Sequence, residues 1–77
     1  GDYVKLHTPT KYYTVHSTLK ALEERLDPEK FIRVHRSFII AIGKVDYLRD
    51  GIILIKEKPV PVADAYRAAL NKKLRVL

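Results

Sequence analysis

The chain has 77 residues, no cysteine, fifteen Lys and Arg against nine Asp and Glu, and a net charge of +6. That length holds one domain, which buries only about 60% of the surface its unfolded form exposes; the missing cysteines exclude disulfides and cysteine-rich zinc sites and point to the cytoplasm. No apolar run approaches the roughly 20 residues of a membrane span, so a soluble protein with no membrane partner is expected, and the basic balance makes a polyanion a candidate partner.

Tyr3–His7 and Tyr12–His16 alternate apolar and polar side chains around Thr8-Pro9-Thr10-Lys11, which predicts a β-hairpin. Ser17 or Thr18 can cap a short helix carrying Leu19, Leu22 and Leu26 on one face, and Asp27-Pro28 ends it. Residues 31–34 alternate as a strand, a His35-Arg36-Ser37 triplet follows, and the β-branched run at 38–42 predicts a strand buried on both faces until Gly43-Lys44 breaks it. Asp50-Gly51 between residues 45–49 and 52–55 is a strong hairpin signal, because both turn residues tolerate positive φ. Pro59 and Pro61 each remove a backbone donor, which confines residues 60–62 to an edge strand. Asp64 is the expected N-cap of a closing helix with Tyr66, Leu70 and Leu74 on its apolar face and Arg67, Lys72 and Lys73 away from it. The fold class is mostly β with short α elements.

The polar triplet is the most informative feature. Its side chains are either buried and paired with one another or aimed outward at a bend, and the second arrangement makes a donor-rich tip suited to phosphates or base edges. His7 and His16 are expected to face each other across the first hairpin, but two histidines without cysteine or a His-x-x-x-His helix make a poor zinc site, so no metal and no cofactor are assigned. His35 and Ser37 share a strand face without a glycine-rich elbow, and the glycines, Gly1, Gly43 and Gly51, form no phosphate loop; no enzyme is expected. Lys11, Arg36, Lys44, Arg49, Lys56 and Lys58 lie near turns and element ends, where loops rather than a recognition helix would meet a nucleic acid backbone.

Residues 31–42, with Phe-Ile-Arg-Val-His-Arg-Ser at their start, resemble the centre of the LytTR family, the mostly-β DNA-binding domains at the C-terminal end of many bacterial response regulators. Residues 1–7 resemble that family's early strand, 17–26 its short helix and 45–70 its final hairpin and closing segment. The resemblance implies an elongated β-fold that begins one or two strands late, an upstream receiver domain in the full-length protein, and double-stranded DNA as partner. Loops are expected to enter successive major grooves at short direct repeats. Three regions would touch DNA: Asp2 with Lys5, the triplet His35, Arg36 and Ser37, and the neighbourhood of Ala65. Arg36 carries the fork that reads guanine O6 and N7, whereas Lys5, Arg33, Lys44 and Arg67 are assigned to phosphates. Asp64 and Ala65 stand where many members have two arginines. The rival expectation is a protein-interaction module that pairs through an exposed sheet edge, with a homodimer as one form of it.

Overall fold

Period-two alternation makes the first element a hairpin, in which β1 (Tyr3–His7) runs antiparallel to β2 (Tyr12–His16). The structure, a computed structural model, describes residues 3–7 and 10–75. Its register places Tyr3 opposite His16 and His7 opposite Tyr12. His7 and His16 therefore sit at opposite ends of the hairpin and do not face each other, because an antiparallel ladder pairs the start of one strand with the end of the next.

Thr18 caps α1 (Leu19–Arg25): its backbone is extended, with φ −101° and ψ 158°, and its hydroxyl accepts from the Ala21 N–H at 3.1 Å. Leu19, Leu22 and Leu26 are half-buried while Lys20, Glu23 and Glu24 are exposed. The helix ends at Leu26, whose backbone is extended with φ −82° and ψ 148°, and Pro28 disfavours helical backbone at Asp27. Asp27 then organises the exit, its carboxylate accepting from the Glu29 N–H at 2.9 Å and its carbonyl from Lys30 and Phe31 at 3.0 Å.

β3 (Phe31–His35) and β4 (Phe38–Ala41) form a second hairpin with one extra residue in β3 between Arg33 and His35. Such a bulge adds local twist, and the turn at Arg36–Ser37 is closed with no positive φ at either residue. β4 is not buried on both faces as its composition suggests: Ile40 is buried, Ile39 half-buried and Phe38 41% exposed. Among the described residues it pairs only with β3, and Ile42 leaves the strand for a single 3-10 turn at Ile42–Lys44.

β5 (Tyr47–Arg49), β6 (Ile52–Ile55) and β7 (Lys58–Pro61) make the third sheet, in the order β5-β6-β7. Asp50 and Gly51 adopt φ of 52° and 76°, the conformation their chemistry favours. The turn at Lys56–Glu57 does the same with φ of 50° and 69° but without glycine or asparagine. Asp46 supports it by accepting the Lys56 N–H at 2.7 Å. β7 is the edge strand that its two prolines require.

α2 (Asp64–Arg75) closes the core with Leu70, which is fully buried alongside Val34, Ile40, Ile53 and Val62. Each of these five comes from a different segment, and burying each contributes about 1.5 to 3 kcal/mol. Asp64 is the first residue of α2 and not its cap; its carboxylate lies 3.3 Å from the Arg67 guanidinium, one turn on. Among the described residues no helix is long and apolar enough to cross a membrane.

Candidate nucleic-acid interface

The bulged end of β3 places three polar side chains in different roles. His35 is half-buried, its ring 5.2 Å from that of Phe38, and its Nδ1 accepts the Ser37 N–H at 3.0 Å. In a neutral imidazole the proton then sits on Nε2, which is left for an outside acceptor. Arg36 and Ser37 are exposed. The group of Arg36 that is held is its main-chain oxygen, which accepts from Arg33 Nη2 at 2.6 Å. The turn thus follows the outward arrangement: none of the three side chains is buried, His35 is half-buried with its Nδ1 on the Ser37 main chain, and Arg36 is presented to solvent.

Arg33, assigned to phosphate from the sequence, is turned the other way. Its side chain is 16% exposed; besides the Arg36 carbonyl it reaches the His35 carbonyl through Nε at 3.1 Å and Glu23 of α1 through Nη1 at 3.2 Å. A regular strand would put Arg33 on one face with His35; the extra residue between them pairs Arg33 with Ile39 and His35 with Phe38, adjacent residues of β4, and breaks that alternation.

A second group of residues joins the same end of the fold. The Ala63 N–H donates to the Val34 carbonyl at 2.9 Å, and the Val62 N–H to the Gly51 carbonyl at 2.9 Å. These bonds bring the start of α2 beside both the β3–β4 hairpin and the Asp50–Gly51 turn. Ala65 is exposed on the first turn of α2. Arg67 lies over Gly51, where a Cβ would stand 2.5 Å from Nη2; the end of that flexible side chain can move aside, so it is the φ of 76° that favours glycine there. The Arg67 side chain remains 53% exposed beside the Asp64 carboxylate.

Lys44 lies elsewhere. Four residues of β4 and the 3-10 turn separate it from Ser37, and the Ile42 N–H bonds to the Lys30 carbonyl near the start of β3. It is exposed at the far end of the β3–β4 hairpin from Arg36. Lys5 is exposed on β1 with its ammonium 5.1 Å from the centre of the Tyr12 ring, a cation–π contact on the outer hairpin. Asp2 lies outside the described residues. The start of α2 is thus tied to Val34, two residues before Arg36, Lys44 lies at the other end of the β3–β4 hairpin, and among the described residues β1 and β2 pair with no other strand.

The arrangement suits binding of an anionic surface: exposed cations on turns, with one guanidinium on an ordered apex. A recess of about 480 Å³ between the helices and the β3–β4 hairpin has Leu26, Phe31 and Ile39 among its lining, together with Lys72 and Lys73. Among the described residues no group of three or more His, Asp or Glu could hold a metal ion. Sequence reasoning missed Glu23, whose partner is ten residues away on another element, and no local pattern marks it.

Comparison with known proteins agrees with this geometry. The family described as the LytTr DNA-binding domain matches residues 1–75. The sensory transduction protein LytT of Bacillus anthracis is 34% identical over 79 residues, covering 95% of this chain and 32% of that protein. LytT of Bacillus subtilis is 30% identical over 83 residues, with 96% and 33% covered. The CO-responsive transcriptional regulator RcoM of Rhodospirillum rubrum is 43% identical over 49 residues, with 64% of this chain and 21% of that protein covered. The chain spans about a third of the length of the LytT proteins it matches. No solved structure gives a significant match. A family match over nearly the whole chain, on a mostly-β fold whose Phe-Ile-Arg-Val-His-Arg-Ser segment runs from β3 into an exposed turn, means that the chain belongs to the LytTR DNA-binding domain family.

Proposed function

We propose that this domain binds duplex DNA in a sequence-dependent way as the output module of a two-component transcriptional regulator in the cytoplasm, behind a receiver domain in the full-length protein. The β3–β4 turn enters the major groove, where the Arg36 guanidinium offers two parallel donors to a guanine edge. Ser37 and the His35 Nε2 are the neighbouring polar groups. Arg67 and the exposed backbone at Ala65 approach the adjoining phosphates, and Lys5 and Lys44 meet the backbone further along the duplex. In full-length DNA, short direct repeats would present one such groove after another. The observation that carries this reading is an exposed arginine at the apex of a turn whose main chain is held by two side chains of β3, Arg33 and His35. The names of the relatives, a sensory transduction protein and a transcriptional regulator, support the regulatory half.

A second reading rests on the outer hairpin. β1 and β2 pair only with each other among the described residues, and Tyr3, Leu6, Tyr12 and Tyr13 are 39 to 67% exposed. Two copies of the chain could pair there as a homodimer, since bare strand edges recruit other chains. Salt separates the readings. Binding to a duplex through several phosphates weakens steeply as salt rises, with a slope in log–log form of about −0.9 per phosphate neutralised. A slope between −3 and −5, which is roughly four contacts, is expected for titration of the chain with duplex DNA. A slope near zero would favour the strand-pairing surface over the DNA reading.

A further inference from the structure

We propose that Arg33 is a positioning residue for DNA recognition: by holding the main chain of the β3–β4 turn it fixes where the Arg36 guanidinium is presented, and Glu23 on α1 fixes Arg33 in turn. This rests on the base-reading role given to Arg36 above. The Arg33 side chain donates in three directions at once, to the His35 carbonyl at 3.1 Å, the Arg36 carbonyl at 2.6 Å and the Glu23 carboxylate at 3.2 Å. Only a planar guanidinium can do this; an ammonium on a flexible stem carries the same charge without the fixed fork.

Two features make the bracing consequential. The bulge between Arg33 and His35 interrupts the ladder just before the turn, so the strand pairing alone does not fix the apex. The same guanidinium also ties the apex to α1, an element that precedes it by ten residues. The Glu23 carboxylate is 45% exposed, so its ion pair contributes orientation more than stability. A donor set spent on main-chain oxygens is also unavailable to phosphate, which separates Arg33 from the exposed cations in kind. A small displacement of a base-reading side chain is enough to lose a bidentate contact, so the brace acts on specificity.

The test uses the 77-residue chain and two probes: a duplex enriched by the wild-type chain from a random-sequence pool, and the same duplex scrambled. Arg33→Lys is expected to lower the ratio of the two affinities about tenfold, within the range for losing one bidentate base contact. Affinity for the scrambled duplex and its salt slope should stay as in wild type. Without DNA, the amide resonances of Arg36, Ser37 and Phe38 should shift while those of Ile53 and Leu70 hold. Glu23→Gln should change the ratio and the same turn resonances in the same direction, by about twofold, as expected for loss of an exposed ion pair.

Unchanged turn resonances and an unchanged ratio in Arg33→Lys would overturn the proposal. So would an Arg33→Gln variant that binds the scrambled duplex more weakly with a salt slope smaller by about one phosphate, the signature of a backbone contact. If Arg33→Lys does not fold, Glu23→Gln decides, because a carboxylate that is 45% exposed tolerates an amide: an unmoved turn and an unmoved ratio there sink the idea. An Arg36→Lys chain that keeps the full ratio would instead fail the base-reading role itself, and the DNA half of this inference with it, whatever the turn resonances of the Arg33 variants do.

Discussion

Two hairpins in this fold carry exposed polar tips or faces, and they are held together by different means. The β3–β4 hairpin sends Val34 and Ile40 into the core and has its turn fixed by Arg33 and His35 acting on main-chain groups. Among the described residues the β1–β2 hairpin has no fully buried side chain; its order comes from a surface ladder of rings and cations, Tyr3 against His16 at 5.0 Å, His7 against Tyr12 at 5.6 Å, and Lys5 over Tyr12. The difference teaches that a chain this small has one well-built presentation point. A two-stranded hairpin is marginal by itself in water, so an anchored turn is the place where a side chain can be presented with the precision that base reading needs.

The largest expected effect breaks the anchored side of the comparison. Leu70 is fully buried against Val34, Ile53 and Val62, so Leu70→Ala should cost about 3 to 5 kcal/mol in urea denaturation. A domain of this length has roughly 4 to 12 kcal/mol in all, so that variant should be partly unfolded near body temperature. Tyr12→Ala removes two ring contacts on the outer hairpin and should cost less than about 1 kcal/mol while collapsing amide protection in β1 and β2 alone. Equal losses from the two substitutions would mean that the outer hairpin is part of the cooperative core.

A smaller effect sharpens the account of the α2 end. The Asp64 carboxylate is 91% exposed and pairs with Arg67 at 3.3 Å, so Asp64→Asn should leave stability within about 1 kcal/mol of wild type. It removes a negative charge beside Arg67, and affinity for duplex DNA should be unchanged or higher. Markedly weaker binding by Asp64→Asn would show that the carboxylate makes a favourable contact with the nucleic acid.

Much of the fold was legible because it rests on local chemistry. A cap at Ser17 or Thr18, which the structure places on Thr18, Asp50-Gly51 as a turn, Pro59 and Pro61 on an edge, and Leu70 on an apolar helix face are all written in short patterns. What escaped is non-local or cooperative. The Lys56–Glu57 turn carries no turn residues and depends on Asp46, ten positions earlier, while the extra residue after Arg33 shifts His35 in register, so strand alternation does not relate the two side chains. The site was legible as a segment, since Arg36 does stand exposed between His35 and Ser37, but its supporting contacts were not. Glu23 and Arg33 are matched in space, and nothing in either local sequence announces the pairing. Lys44 shows the converse limit: a cation near a turn in sequence lies at the opposite end of the hairpin from the turn that matters.

The central claim is that Arg36 reads bases from an ordered apex, and Arg36→Lys tests it most directly, because lysine keeps the charge and removes the planar fork. Wild type and variant are titrated with an enriched duplex and with its scrambled counterpart at one fixed salt concentration. A base reader should lose about 1 to 3 kcal/mol of discrimination, so the ratio of the two affinities should fall by roughly an order of magnitude while the scrambled duplex is bound as before. The same ratio for both proteins would contradict the account, and would make Arg36 a backbone contact on a turn that reads no sequence.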